Sequence, residues 1–313
     1  MKRLIVAATL LGAAALGCGQ VGAQELDEQQ MQDAMTFAMH DAVFTTYHEI
    51  GHLLVGELEL PVLGKEEDAA DALATILLLN DDADEDSYNV LVDAADGWYF
   101  NAVRSTGAGV DDFSYYDEHS LDIQRAYAMV CMMVGKDPEA FAQTADAYDL
   151  DQDRRDGCVY TYEQALTSWV KLLEPHEVKD KPGAKITVVY DDAGDYEVYA
   201  QELKDRQILE RAAEMIESSY VLPRPITFRG TLCGEANAYY STSNSELTYC
   251  YELADDLYGL YVNDIMGLVA ENASDDSGEQ ASADTGEPQQ RQVLGNGKKT
   301  DLSGSLKDAK PAN

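Results

Sequence analysis

Three residues in one short stretch have the types and the spacing of a hydrolytic metal site. His48 and His52 are four residues apart, and on an α-helix this spacing places both side chains on one face. Two imidazoles on one face can bind the same zinc ion. Glu49 directly follows the first histidine, where a carboxylate can reach a water molecule at the metal. The stretch therefore predicts two zinc ligands, His48 and His52, and a general base, Glu49.

A catalytic zinc ion needs a third protein ligand, and an acidic segment downstream can supply it. The candidates are Glu66, Glu67 and Asp71. Glu67 and Asp71 are four residues apart, so one can bind the metal while the other accepts the free N–H of a ligand histidine. Because Glu67 has the longer side chain, we assign it to the metal and Asp71 to the histidine. Glu66 stays open as an alternative ligand, or as an acidic residue that only stabilises a helix N-terminus.

Two further residues are candidates for contact with a reacting substrate. His119 precedes a predicted helix that contains Arg125. An imidazole or a guanidinium group can stabilise the oxyanion of a tetrahedral intermediate, so we consider His119 as catalytic and Arg125 as substrate-binding. The alternative for His119 is a local hydrogen bond near a helix N-cap at Ser120. Only residue type supports these roles.

The spacing of apolar residues predicts the elements that must position these side chains. A helix at 29–58 would carry both histidines and Glu49, and a break at 60–64 separates it from a second helix at 66–79. Further helices are predicted at 87–104, 121–134, 138–147, 162–173, 202–219 and 252–268. Strands are predicted at 186–190 and 226–232, with a hairpin of 236–240 and 246–251. We therefore expect an α+β fold that is mostly helical with a small antiparallel sheet or hairpin.

The composition limits the classes of partner. The chain has 313 residues, 45% of them hydrophobic, which is enough for a packed domain. It carries 58 acidic and 22 basic residues, a formal net charge of −36. Such an acidic surface argues against nucleic acid or an anionic membrane as a partner.

The first residues have the pattern of an export signal. A basic start is followed by an apolar run at 4–17 that is short for a membrane span, and then by small residues that allow cleavage after Ala23. The alternative is a lipoprotein signal in which Cys18 is lipidated. We therefore expect an exported protein, periplasmic or secreted, with a signal peptide at 1–23, a folded domain at 24–270 without a transmembrane segment, and a disordered polar tail at 271–313.

The cysteine count agrees with export. Cleavage after Ala23, which removes Cys18, or lipidation of Cys18 leaves four cysteines, an even number in an oxidising compartment. Of the three possible pairings we favour Cys131–Cys158 and Cys233–Cys250, because each closes a local segment. Four buried free thiols are the alternative.

Several segments resemble a known group of enzymes. The segment 48–52 with 67–71 resembles the gluzincins, thermolysin-like zinc peptidases that pair HExxH with a downstream ExxxD-type turn. More narrowly, three segments look like the bacterial metallopeptidases classed as DUF4344, namely 47–54, 60–71 and 233–253. The resemblance implies a zincin-like fold, one catalytic zinc ion, and a peptide or protein as substrate. The alternative from another class is a non-catalytic zinc or peptide-binding protein with the same fold, although the presence of Glu49 favours an enzyme.

The segment 237–240 also resembles the edge strand with which thermolysin-like enzymes bind the substrate backbone. In those enzymes an Asn and an Ala contact the peptide around the scissile bond, so the resemblance implies that Asn237 and Ala238 contact substrate. An edge strand offers unpaired N–H and C=O groups to an extended peptide. The alternative is that Asn237 is a turn residue beside a disulfide.

Overall fold

Helices make up most of the computed structural model, which describes residues 26–80, 85–105, 117–179 and 183–266. In chain order the helices are α1 (Glu28–Glu57), α2 (Glu66–Leu78), α3 (Glu85–Arg104), α4 (Asp122–Lys136), α5 (Ala142–Ala147), α6 (Gln152–Leu173), α7 (Glu197–Asp205), α8 (Ile208–Ser219) and α9 (Tyr251–Leu260). The strands are β1 (Ile186–Tyr190), β2 (Ile226–Thr231), β3 (Ala238–Ser241) and β4 (Glu246–Cys250). The expected α+β class is confirmed. The predicted signal peptide at 1–23, Cys18 and the polar tail at 271–313 lie outside the described residues.

Helix α1 is the central element of the fold, as its predicted apolar pattern requires. Its N-terminus is fixed by a capping box, in which the Asp27 side chain accepts the backbone N–H of Gln30 at 2.8 Å and the Gln30 side chain accepts that of Asp27 at 2.9 Å. The helix packs against α2, α3, α9 and the sheet. Most of its side chains from Phe37 onward are therefore buried, including those of His48 and Glu49. Polar groups in such surroundings must find partners inside the protein.

The sheet is mixed, whereas we expected it to be antiparallel. Its strand order is β1-β2-β4-β3; β1 pairs with β2 and β2 with β4 in parallel, and only the β3–β4 hairpin is antiparallel. The parallel pairing of β1 and β2 arises because α7 and α8 connect them, and a crossover of that length returns the chain in the same direction. The predicted hairpin is confirmed, and β3 is an edge strand.

Two predicted helices have different bounds because of local backbone signals. The helix expected at 202–219 is broken into α7 and α8 at Gln207, whose left-handed backbone with a φ of 55° cannot continue an α-helix. The helix expected at 162–173 begins earlier, at Gln152, because the Asp151 side chain caps it by accepting the Arg154 N–H at 2.8 Å. Two further helices are shorter than predicted: α5 covers only the end of 138–147, and α9 gives way after Leu260 to a π-helical turn, Tyr261–Ile265.

A close crossing of α1 and α2 depends on a glycine. A Cβ atom added at Gly51 would lie 2.8 Å from the Cα of Ala70, closer than packed atoms allow. The missing side chain lets the first turns of α2 lie directly against the histidine face of α1. The acidic start of α2 is thereby brought to His48 and His52.

Both predicted disulfides are present. Cys131 of α4 is bonded to Cys158 of α6, and Cys233 is bonded to Cys250 at the end of β4. The second bond connects the loop after β2 to the hairpin that carries β3. Among the described residues, no helix is long and apolar enough to cross a membrane.

Removal of the α4–α6 disulfide should destabilise the protein. Replacing Cys131 and Cys158 together by Ala is expected to lower the free energy of unfolding by about 2–4 kcal/mol, because the bond spans a sequence separation of 27. Removing the Cys233–Cys250 bond, which spans 17, should cost slightly less. Denaturant unfolding of the two double variants beside the parent protein measures both effects. An unchanged unfolding midpoint in the first variant would contradict the prediction.

Candidate metal centre

Three side chains meet at the crossing of α1 and α2. The Nε2 atoms of His48 and His52 are 3.2 Å apart, and each lies 3.2 Å from Oε2 of Glu67. A tetrahedral zinc ion with Zn–N and Zn–O distances near 2.0–2.1 Å has ligand atoms about 3.3 Å apart. The donor set and its spacing therefore fit zinc. Within the described residues these three form the single group of His, Cys, Asp and Glu side chains close enough together to hold a metal ion.

A carboxylate holds the other nitrogen of each imidazole. Nδ1 of His48 lies 2.8 Å from Oδ1 of Asp71, and Nδ1 of His52 lies 2.8 Å from Oε1 of Glu66. A proton on each Nδ1 leaves the lone pair of Nε2 free to face the metal position. Burial lowers the pKa of His48, but hydrogen bonds with Asp71 and Glu67 outweigh it and raise the pKa to about 9. Burial raises the pKa of Glu67, yet its hydrogen bonds with both histidines hold it well below the usual range.

Glu66 therefore lies beside His52, outside the group of three donors. Sequence reasoning left Glu66 open as a ligand or a helix-terminus charge and missed its contact with the imidazole. The sequence could have predicted this contact. Each of two ligand histidines needs an acceptor for its second ring nitrogen, and Asp71 provides an acceptor for only one of them.

Asp71 is itself held by Arg125. The guanidinium donates from Nε to Oδ2 at 2.7 Å and from Nη2 to Oδ1 at 2.8 Å, and it stacks on the Trp98 ring at 3.5 Å from the ring centre. Burial raises the pKa of Asp71, but the hydrogen bonds from Arg125 and His48 lower it to about 2. Asp71 is therefore an anion that joins Arg125 to His48. Arg125 is 5% exposed, and its forked donors are directed at Asp71.

Glu49 lies between the histidines and the edge strand. It is 5% exposed, and the backbone N–H of Tyr240 in β3 donates to its carboxylate. Burial raises the pKa of Glu49, and the adjacent His48 and His52 oppose that effect. The Tyr240 hydroxyl donates to Oε1 of Glu57 at 2.6 Å, so this residue connects β3 to α1 at two points.

A cavity of about 200 Å³ opens beside Glu49 and contains most of the predicted site residues. Residues from α1, α3, α4, α9 and the start of β3 line it together with the loop before α4. Those singled out by the sequence are His48, Glu49, His119, Arg125, Asn237 and Ala238. Residues separated by nearly two hundred positions in the chain thus share one surface.

His119 and Asn237 each combine a local contact with a place at this cavity. Nε2 of His119 lies 3.0 Å from Oε2 of Glu67, and its Nδ1 lies 3.0 Å from Asp117. Oδ1 of Asn237 accepts the N–H of Ala238 at 2.8 Å, as in a turn, while the carbonyl of Asn237 accepts from Cys250. Both residues therefore line the cavity even though each also makes a local hydrogen bond.

Comparison with known protein families agrees with this arrangement. The family model DUF4344, described as "Putative metallopeptidase", matches residues 18–173 and 190–280, which is most of the chain. The chain belongs to DUF4344. DUF4344 is a family of metallopeptidases by that description, so the expected enzyme class, a hydrolase acting on peptides or proteins, is supported. No curated protein and no solved structure matches the chain. For this DUF4344 member, the group of His48, His52 and Glu67 is the place among the described residues where the structure can hold the metal that the family description implies.

Proposed function

We propose that this chain is an exported, gluzincin-like zinc peptidase that hydrolyses peptide bonds in the cavity beside His48. The observation that carries the proposal is the triangle of donor atoms from His48, His52 and Glu67, each 3.2 Å from the others, with Glu49 next to it. A bound zinc ion supplies a Lewis acid that polarises the scissile carbonyl and lowers the pKa of water toward about 7.

Glu49 acts as the general base in this proposal. Its carboxylate takes a proton from the attacking water and then donates that proton to the leaving amine. Burial raises the pKa of Glu49 from its ordinary value, which makes the carboxylate a better proton acceptor than an exposed one. The Tyr240 N–H holds the carboxylate at the edge of the cavity. This placement of an acid–base residue favours catalysis over the non-catalytic zinc-binding alternative.

The substrate backbone would extend along β3. Ala238 begins this edge strand at the cavity wall, and an edge strand can pair with an extended peptide through main-chain hydrogen bonds. Asn237 lies next to it and also lines the cavity. His119, whose Nε2 is 3.0 Å from Glu67, is placed to donate to the oxyanion that develops from the carbonyl.

Arg125 has a positioning role in this proposal rather than the substrate-binding role that its residue type suggested. Its two hydrogen bonds to Asp71 fix the carboxylate that accepts from His48. Glu66 does the same for His52 from a more exposed position. The two imidazoles are therefore oriented before a metal ion arrives.

Asp71→Asn should weaken zinc binding roughly 10- to 100-fold, because an amide is a poorer acceptor for the His48 N–H and for Arg125. Competition with a chelator of known affinity measures the change. Asp68→Asn is the matched control on the same helix, since Asp68 bonds Ser120 outside the donor group. Equal zinc affinity in Asp71→Asn and the parent protein would remove Asp71 from the site.

The central test combines metal analysis with a peptide digest. Gently purified protein is expected to contain about one zinc ion per chain and to cleave members of a peptide library. A chelator should abolish cleavage, and added zinc should restore it. Protein that binds no zinc, or that cleaves nothing when fully loaded, would contradict the proposal.

Export is the remaining part of the proposal. The basic and apolar start of the chain and the two disulfides support it. Fractionation of expressing cells, with mass analysis of the mature N-terminus, separates cleavage after Ala23 from lipidation at Cys18.

A further inference from the structure

The cavity beside the metal centre extends along α1 to a buried carboxylate, that of Asp41. Asp41 precedes His48 by seven residues, nearly two helical turns, so it lies on the same face about 10 Å along the helix axis. The residue is 6% exposed and lines the cavity. Oδ1 accepts the Thr45 hydroxyl at 3.0 Å, whereas Oδ2 makes no hydrogen bond with any described residue. The cavity therefore contains an acceptor without a donor.

Apolar and polar residues share the walls of the cavity. Its apolar lining residues include Phe44, Trp98, Leu253 and Leu257. Space beside Oδ2 of Asp41 depends on Gly97, where an added Cβ would come within 3.4 Å of that oxygen. A cavity that combines apolar side chains with a buried carboxylate matches a long side chain with an aliphatic stem and a cationic head.

The charges around the cavity point to the same ligand. Arg125 is paired with Asp71, and Arg104 lies 3.4 Å from Asp256 at the outer edge. Both arginines thus already have an anionic partner, whereas the hydrogen bond that a described residue donates to Asp41 comes from a neutral hydroxyl. Burial raises the pKa of Asp41 to about 6, although the Thr45 hydrogen bond and the charges of Arg125 and His48 act to lower it. A buried carboxylate in this condition is stabilised by an incoming cation.

We propose that this cavity is a subsite for a Lys or Arg side chain next to the scissile bond, with Asp41 as the acceptor of its charged head. The proposal rests on the peptidase function proposed above and adds its substrate class. A substrate with Glu or Asp at this position would place two carboxylates together and be disfavoured.

Amino-acid hydroxamates test the subsite without turnover, because the hydroxamate binds zinc and holds the side chain beside it. The hydroxamates of lysine and norleucine differ mainly by the terminal ammonium group, and glutamate hydroxamate carries a carboxylate on a shorter side chain. Calorimetry with the zinc-loaded protein should show lysine hydroxamate binding roughly 10- to 100-fold more tightly than norleucine hydroxamate, with glutamate hydroxamate weakest. Equal binding of the lysine and norleucine compounds would overturn the proposal.

Asp41→Asn should reduce the lysine preference to about twofold or less, because the neutral amide cannot offset the ammonium charge. The variant should fold, since the substitution removes a buried charge and keeps an oxygen for Thr45. Asp255→Asn is the matched control: Asp255 bonds the Tyr199 hydroxyl at 2.8 Å and does not line the cavity. Loss of the preference in Asp255→Asn, or its retention in Asp41→Asn, would overturn the assignment of Asp41.

A parallel peptide digest separates this inference from the function on which it rests. Cleavage that concentrates beside Lys and Arg, and loses that bias in Asp41→Asn, supports both. Cleavage with no basic preference overturns the subsite and leaves the peptidase. A lysine preference in hydroxamate binding, with no peptide cleaved, would overturn the peptidase and support the subsite as a binding site.

Discussion

Glu49→Gln is expected to lower kcat for peptide hydrolysis by about 10²- to 10⁴-fold while the zinc content stays at the parent level. The amide has the shape of the carboxylate but cannot accept the proton of the attacking water. The ligand atoms of His48 and His52 are untouched, so the metal should remain. Burial already disfavours the charged form of Glu49, and the neutral amide can still accept from the Tyr240 N–H, so folding should be preserved.

The measurement is steady-state cleavage of one library peptide together with zinc analysis of the same sample. Glu28→Gln is a matched control, since Glu28 is exposed in the first turn of the same helix. Parent-level kcat in Glu49→Gln would exclude Glu49 as the base. Loss of both zinc and activity would show instead that the substitution damages the metal centre.

Glu67→Ala is expected to weaken zinc binding by more than 100-fold, because it removes one of the three donor atoms that lie 3.2 Å from each other. Glu66→Ala should weaken it by about 10-fold at most. Glu66 contacts the far nitrogen of His52, and its side chain is half exposed, so water can replace the lost acceptor.

This pair of variants is informative because the two residues are neighbours with the same charge and the same side chain. Their nonspecific electrostatic effects on a cation should be nearly equal. The difference between the zinc affinities of the two variants, measured by chelator competition, therefore separates the loss of a metal ligand from the loss of a residue that only orients His52. A larger loss in Glu66→Ala than in Glu67→Ala would mean that the ligand had been assigned to the wrong carboxylate.

Local periodicity explains why part of this site could be predicted from the sequence. The relation of His48, Glu49 and His52 is set inside a single helix, so their spacing alone defines their geometry. The two disulfides were predicted for a similar reason, since each pairing closes a short segment. The hairpin of β3 and β4 is also local and was predicted within two residues.

Features that depend on contacts between distant elements could not be predicted in the same way. Glu66 and Glu67 point about 100° apart on α2, and only the crossing at Gly51 determines which one reaches the donor group. Arg125 finds Asp71 across 54 residues, a pairing that no periodic pattern marks. Its residue type suggested a substrate contact, and the structure places it at the cavity wall with Asp71 as its partner.

The pairing of the strands in the sheet could not be predicted from the sequence either. The sequences of β1 and β2 predict strands, but their parallel pairing depends on where α7 and α8 return the chain. Asp41 is an intermediate case, because its spacing of seven from His48 places it on the metal face. Its place at the cavity, however, depends on α3 and α9, whose residues line the cavity with it.

The missing side chain at Gly51 has a consequence for recognising related chains from sequence. Any side chain at this position would push α2 outward and separate Glu67 from the histidines, while the HExxH pattern itself stayed intact. A sequence search based on that pattern alone would therefore accept chains whose third ligand cannot reach. A more selective signature for this architecture is HExGH followed by a small residue at the position of Ala70, since those two positions together determine the separation of the helices.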